Sequence, residues 1–165
     1  MSEPPRLIAI TDLEGLGVEP SVRRAERLCR CLRPGSLALQ LRDKSLSPRV
    51  RWEVGMRLRE LTRRLGQWLL VNDRLDLARL LDADGVHLGE ASVRQEDARA
   101  LLGDRVGLFR ALHEVSALPQ VPVATAGVLL SPVLAPRKGR QALGLEGLGA
   151  AARLARQSLG AEAPR

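Results

Sequence analysis

Several short apolar runs in this sequence lead into side chains that could bind an anion. The run at residues 37–41 continues through Arg42 to Lys44, and Gln40, Arg42 and Lys44 alternate along an extended segment. Alternating residues of such a segment can point to the same side. Arginine offers a planar fork of donors and lysine a compact positive charge, and both suit phosphate oxygens. This stretch therefore predicts a phosphate-binding site.

A second polar pair, Asn72 and Asp73, follows the apolar run at residues 68–71. Asn72 can donate to a phosphate oxygen. Asp73 could hold Mg²⁺, which takes one or two carboxylates together with waters and substrate phosphates. Alternatively, Asp73 is the N-cap of the helix that follows, and its position alone favours neither interpretation. His87 lies in the next apolar run, where it could point into the fold or outward.

The elements that must position these residues alternate along the chain. Residues 68–90 predict a strand, a polar tip, a short helix, a turn and a second strand, which together make one parallel βαβ unit. Further strands are predicted at 7–10, 37–41, 106–108 and 121–130, and helices at about 21–32, 48–65, 92–103 and 145–159. Ser92 with Gln95 three residues later predicts a capping box at the start of the fourth helix.

Strands that alternate with helices imply a parallel sheet with right-handed crossovers. A full (β/α)₈ barrel typically needs about 200–250 residues, whereas this chain has 165. We therefore expect an α/β, TIM-barrel-like fold with about six of the eight βα units. We expect one domain over residues 1–165, with a core at 7–159 and a loose tail at 160–165. The first and sixth strands would be open edges, which proteins seldom leave bare, so we expect a homo-oligomer or a partner that covers them.

Composition narrows the possible partners. The net charge of +7 favours an anionic partner. However, 24 of the 26 basic residues are arginines, many of them on predicted helices, and aromatic residues make up only 2%. Without aromatic platforms for bases, a nucleic-acid surface is disfavoured against a phosphorylated small molecule. No apolar run approaches the roughly 20 residues of a membrane span, and we expect a cytoplasmic protein with Cys29 and Cys31 reduced.

Five segments, in this order, resemble thiamine phosphate synthase and its TenI relatives. They are AITD at 9–12, QLRDKS at 40–45, VNDRLDLA at 71–78, ADGVHLGE at 83–90 and SPVLAPRKGRQALGL at 131–145. The resemblance implies a TIM barrel that condenses hydroxymethylpyrimidine diphosphate with a thiazole phosphate. Pyrophosphate is released with the help of Mg²⁺.

The resemblance also implies roles by position. The pyrimidine diphosphate would be bound by Gln40, Arg42, Lys44 and Asn72, with Arg137 added from the loop after the sixth strand. Asp73 would bind Mg²⁺. Lys138 would be the catalytic lysine that neutralises the leaving pyrophosphate.

The sequence departs from the family pattern at several of these positions. Ser92 stands where the family has an aspartate as its second metal ligand, and Glu90 is the nearest substitute. Because a hydroxyl replaces a carboxylate, we expect weak Mg²⁺ affinity. We also expect the seventh and eighth strands to be missing, and with them the loops that hold the thiazole phosphate.

Three functions follow from these observations. The first is an active, Mg²⁺-dependent thiamine phosphate synthase. The second is a catalytically weak or inactive relative that binds a phosphorylated pyrimidine or thiazole, alone or with a partner. The third, a basic interaction protein that uses its arginine-rich helices, is the least favoured.

Overall fold

The computed structural model describes residues 3–42, 45–137 and 139–158, and the tail predicted at 160–165 lies outside them. Six parallel strands form one sheet whose spatial order follows the sequence. They are β1 (Leu7–Ile10), β2 (Leu37–Leu41), β3 (Trp68–Asn72), β4 (Gly85–Leu88), β5 (Gly107–Leu112) and β6 (Gly127–Leu130). This α/β arrangement of six parallel strands in an incomplete barrel confirms the predicted fold class.

Helices follow the strands along the chain. They are α1 (Leu13–Leu16), α2 (Val18–Cys31), α3 (Pro48–Arg64), α4 (Leu75–Leu80), α5 (Gln95–Leu102), a 3₁₀ helix (Val115–Gln120) and α6 (Gly144–Ser158). The Ser47 side chain accepts from the Val50 N–H, and Pro48 occupies the first turn of α3, where its missing N–H is tolerated.

The capping box predicted for α5 is wrong. Its N-cap is Arg94, which makes no side-chain cap bond. The Ser92 hydroxyl instead donates to the Asp73 carboxylate. A tertiary contact has therefore replaced the local one that the sequence pattern indicates.

The sheet buries both of its faces. The face toward the helices carries leucines and valines of the strands, such as Leu39 and Leu69, which pack against Leu58 of α3. The concave face is filled by Leu70 and Phe109 together with partly buried Trp68. Phe109 meets the Trp68 ring edge to face at a centroid distance of 6.5 Å.

The last two strands differ from their predicted bounds. β5 extends to Leu112, beyond the predicted 106–108, and β6 begins only at Gly127, not at 121. Pro122 explains the second difference, because its carbonyl accepts the Thr125 N–H and a turn occupies the start of the predicted strand.

β1 and β6 each pair with one neighbour, so they are the edges of the sheet. Leu7 and Ile10 of β1 are 47% and 50% exposed, and every residue of β6 is half-buried.

None of the helices among the described residues has the length and apolar character of a membrane-spanning segment.

Candidate functional site

A cavity of about 520 Å³ opens at the carboxyl ends of the strands. Five residues of the predicted site line it: Arg42 after β2, Asn72 and Asp73 at the end of β3, Glu90 after β4, and Arg137 after β6. The carboxyl ends of parallel strands meet at one edge of a sheet, where loops carry side chains over a rigid base. The structure thus brings together residues that lie up to 95 positions apart in the sequence (42 to 137).

Three side chains from neighbouring strands form a hydrogen-bonded group on the concave face, the amide–imidazole cluster of Gln40, Asn72 and His87. Gln40 is fully buried. Its Nε2 donates to Asn72 Oδ1 at 3.1 Å and lies 2.8 Å from His87 Nδ1. Gln40 Oε1 and His87 Nε2 are buried and have no hydrogen-bond partner among the described residues. The half-buried Asn72 and His87 line the cavity.

The surroundings of the His87 ring favour its neutral form. Burial lowers its pKa, the Arg42 guanidinium lowers the pKa further, and the Asp73 carboxylate acts in the opposite direction. The sequence left open whether His87 points inward, and its bond to Gln40 places it on the concave face. The Asp73 N–H donates to the His87 carbonyl at 3.0 Å, which ties the end of β3 to β4.

Asp73 is not the N-cap of α4, because that position belongs to Arg74. The Asp73 backbone has a φ of 65°, an uncommon conformation for a residue other than glycine. Its exposed carboxylate lies at the cavity and accepts the Ser92 hydroxyl. Asp73 is thus held at the mouth of the cavity by its backbone and by Ser92.

The donor set around Asp73 fits Mg²⁺ only in a limited way. Within the described residues, no group of three or more His, Cys, Asp or Glu side chains could hold a metal ion. Glu90, the predicted substitute ligand, pairs with Arg140, and its carboxylate lies 3.9 Å from His113 Nε2. One free carboxylate suits an ion that arrives with a diphosphate and keeps several waters, and does not suit a permanently resident ion.

Sequence reasoning missed Arg140 as part of the site. Arg140 lies in the loop after β6, where its backbone pairs with Arg137. It lines the cavity with its guanidinium on Glu90. Its place two residues after Lys138, in the loop already assigned to phosphate binding, was the signal that could have found it.

The remaining predicted positions have separate outcomes. The Arg42 N–H donates to Thr11 Oγ1 at 3.1 Å, which joins the end of β2 to the loop after β1, while its side chain is exposed. Lys44 and Lys138, predicted as a substrate-binding and a catalytic lysine, lie outside the described residues. Cys29 is buried and Cys31 is exposed, and both thiols are free.

Comparison with known proteins identifies the family. The profile described as thiamine monophosphate synthase (TMP-TENI) matches residues 7–157. The chain is 44% identical over 115 residues to the thiamine-phosphate synthase of Natronomonas pharaonis, covering 68% of this chain and 54% of that protein. It is 36% identical over 134 residues to the enzyme of that name from Gloeobacter violaceus, covering 79% of this chain and 39% of the other.

Solved structures agree with the sequence comparison. The thiamine phosphate pyrophosphorylase of Pyrococcus furiosus superposes with a TM-score of 0.74 at 28% identity, covering 89% of this chain and 69% of that chain. The citrate synthase SbnG, at 9% identity and a TM-score of 0.58, shares the fold alone. The chain spans about half the length of the first of these curated relatives. With the family profile matched from β1 to α6, the chain belongs to the thiamine monophosphate synthase/TenI family.

Proposed function

We propose that this protein is a transferase of the thiamine phosphate synthase type. It would condense hydroxymethylpyrimidine diphosphate with a thiazole phosphate and release pyrophosphate. The observation that carries this proposal is the single cavity in which Arg42, Asn72 and Asp73 stand together at the carboxyl ends of neighbouring strands. Family membership supports the same reaction.

The proposed chemistry depends on charge placement. The bond between the pyrimidine methylene carbon and the diphosphate oxygen breaks, and its electron pair leaves with pyrophosphate. The thiazole nitrogen lone pair then forms the new carbon–nitrogen bond. Arg42, Arg137 and Lys138 would stabilise the negative charge that develops on the leaving group, and Asn72 would donate to it. Gln40 and Lys44 complete the proposed diphosphate site.

Mg²⁺, when bound, would neutralise diphosphate oxygens, and Asp73 is the residue that would hold it. Because Ser92 supplies a hydroxyl where a second carboxylate would strengthen the site, we expect binding of the ion to depend on the diphosphate. Two contacts within the chain hold Asp73 in place: its carboxylate accepts the Ser92 hydroxyl, and its backbone N–H donates to the His87 carbonyl.

A second candidate is a catalytically weak relative that binds the phosphorylated pyrimidine without efficient turnover. The ion pair between Glu90 and Arg140 favours this second candidate, because the pair occupies the other carboxylate at the cavity mouth. Asp73 is then the one carboxylate at the described cavity without an ion-pair partner. The two candidates differ in product formation and agree in diphosphate binding.

We propose further that self-association covers the open edges β1 and β6. Exposed Leu7 and Ile10 on β1 support this, since bare strand edges tend to recruit another chain. Size-exclusion chromatography with light scattering should give a dimer or larger species. A monomer that persists across protein concentrations would refute the proposal.

One assay separates the two functional candidates. The protein is incubated with both precursors and Mg²⁺, and thiamine phosphate is measured by chromatography. Asp73→Ala should lower turnover, whereas Asp104→Ala, whose carboxylate is 99% exposed before β5, should not. Absence of product from the wild type would reject the synthase.

Calorimetry with the pyrimidine diphosphate then tests binding. Arg42→Ala and Lys44→Ala should weaken binding, and Arg79→Ala, an exposed arginine of α4 away from the cavity, serves as the charge-matched control. No heat of binding with the wild-type protein would reject both candidates.

A further inference from the structure

We propose that His87 is a positioning residue that fixes, through Gln40, which end of the Asn72 side-chain amide faces the cavity. This role rests on the proposed function, because an anionic diphosphate is the ligand that would need the N–H₂ end. It concerns the amide–imidazole cluster, in which His87 acts on the Asn72 amide through the fully buried Gln40.

The buried Gln40 side chain sets the direction of the hydrogen bonds in the cluster. Its Nε2 carries two hydrogens, and the geometry directs one to Asn72 Oδ1 at 3.1 Å and the other to His87 Nδ1 at 2.8 Å. Both neighbours must therefore act as acceptors. Because the Asn72 oxygen is used inside the fold, its N–H₂ group is the end left for the cavity.

The His87 ring determines whether this arrangement holds. Nδ1 can accept only when the ring is neutral and its proton lies on Nε2. If Nδ1 carried a proton, two donors would face each other, and the Gln40 amide would have to turn over. The oxygen of Gln40 would then meet Asn72, whose own amide would turn and present an oxygen to the cavity. An oxygen there repels phosphate, so the tautomer of His87 decides whether the contact between Asn72 and the anion is attractive or repulsive.

The cost of the arrangement supports a functional role. It leaves Gln40 Oε1 and His87 Nε2 buried without partners in the described part of the chain. A buried polar group without a hydrogen-bond partner destabilises the folded state. An apolar pair of similar shape would avoid this cost, so the cluster is a poor solution for stability alone.

The first experiment measures the tautomer directly. The chain has two histidines, so long-range ¹H–¹⁵N spectra of the imidazoles contain two sets of signals. The set that remains in His113→Asn belongs to His87. We expect His87 to be neutral with its proton on Nε2. Gln40→Glu offers only acceptors, and Nδ1 of His87 should then become protonated. A proton on Nδ1 in the wild-type protein would overturn the proposal.

The second experiment measures the consequence for anion binding, with inorganic pyrophosphate as the probe in calorimetry. His87→Asn keeps an acceptor oxygen near the position of Nδ1, whereas His87→Leu fills the space without one. We expect His87→Leu and Gln40→Glu to weaken pyrophosphate binding about tenfold or more, as for a lost hydrogen bond to a charged group. His87→Asn should stay within about threefold of wild type.

The results separate this inference from the proposed function. Equal losses in His87→Asn and His87→Leu, with far-UV circular dichroism unchanged, would show that His87 acts through packing and would overturn the proposal. Wild-type affinity in His87→Leu would do the same. If the wild-type protein binds no pyrophosphate, the proposed function fails, while the tautomer measurement still decides the polarity of the cluster.

Discussion

Replacement of Asp84 should destabilise the fold without changing the affinity of the cavity for pyrophosphate. Asp84 precedes β4, at the end of the sheet opposite the cavity. Its Oδ2 accepts the Leu69 N–H at 2.7 Å and an Arg59 guanidinium N–H at 2.5 Å. The Arg59 and Asp84 side chains are 12% and 31% exposed. One carboxylate therefore joins α3 to the starts of β3 and β4.

The magnitude follows from the groups that would lose a partner. In Asp84→Ala the N–H of fully buried Leu69 is left unpaired, at about 1–3 kcal/mol. An unpaired buried charge would cost about 3–5 kcal/mol. Because the Asp84 side chain is about one-third exposed, water can reach this site, and we lower the cost of leaving the Arg59 charge unpaired to about 1–2 kcal/mol. The free energy of unfolding should fall by about 3 kcal/mol in Asp84→Ala and by about 1–2 kcal/mol in Asp84→Asn, which keeps the Leu69 bond.

Urea unfolding followed by circular dichroism measures this change. Asp82→Asn is the matched control, because Asp82 pairs with Arg63 on the surface, with side chains 81% and 55% exposed, and should show no measurable effect. Arg59→Met combined with Asp84→Ala should cost less than the sum of the single changes. A loss below about 1 kcal/mol in Asp84→Ala would refute the assigned role. So would a changed pyrophosphate affinity in the folded protein.

Three further predictions concern the site, the cysteines and the packing of the concave face. Ser92→Asp should tighten pyrophosphate binding in the presence of Mg²⁺ and weaken it without the ion, and calorimetry that shows no dependence on Mg²⁺ would contradict this. Burial raises the pKa of the Cys29 thiol to about 11. At pH 8 almost none of this thiol is ionised, so a thiol reagent should modify the exposed Cys31 rapidly and Cys29 only as the pH approaches 11; equal rates at pH 8 would disprove the burial effect. Gly85→Ala would place a Cβ 2.6 Å from a leucine methyl and 2.8 Å from a backbone carbonyl, and should cost about 1–3 kcal/mol in urea unfolding. Gly149→Ala in α6, as its control, should be neutral or stabilise by about 0.5–1 kcal/mol, and similar losses in both variants would exclude packing as the cause.

Where local signals agree, the sequence predicts the fold closely. The bounds of β2 at 37–41 match because a run of strand length, apolar except for Gln40, stands between a Pro–Gly turn and Arg42. The start of α3 matches because Ser47 and Pro48 suit a helix start by their own chemistry. The start of β6 does not match, because the valines at 121–123 fit strand propensity while Pro122 begins a turn.

The site was predictable only as a set of residues at one edge of the sheet. Strand ends indicate that Gln40 and His87 lie near each other, but their contact joins positions 47 residues apart and depends on how side chains cross the concave face. Ser92 shows the limit most clearly. Its local pattern favours a helix cap, whereas its hydroxyl is used by Asp73, 19 residues earlier. Tertiary contacts of this kind carry no signal in residue spacing.

The segment at residues 83–90 combines two different constraints in one short strand. Before the strand, Asp84 bonds to Arg59 of the helix layer, and within it His87 bonds to Gln40 on the concave face. Strand geometry explains the division, because residues three apart in an extended chain point to opposite faces. A one-residue slip of β4 would exchange these faces and break both contacts. Variants at Asp84 and His87 should therefore separate stability from anion binding although only two residues lie between them.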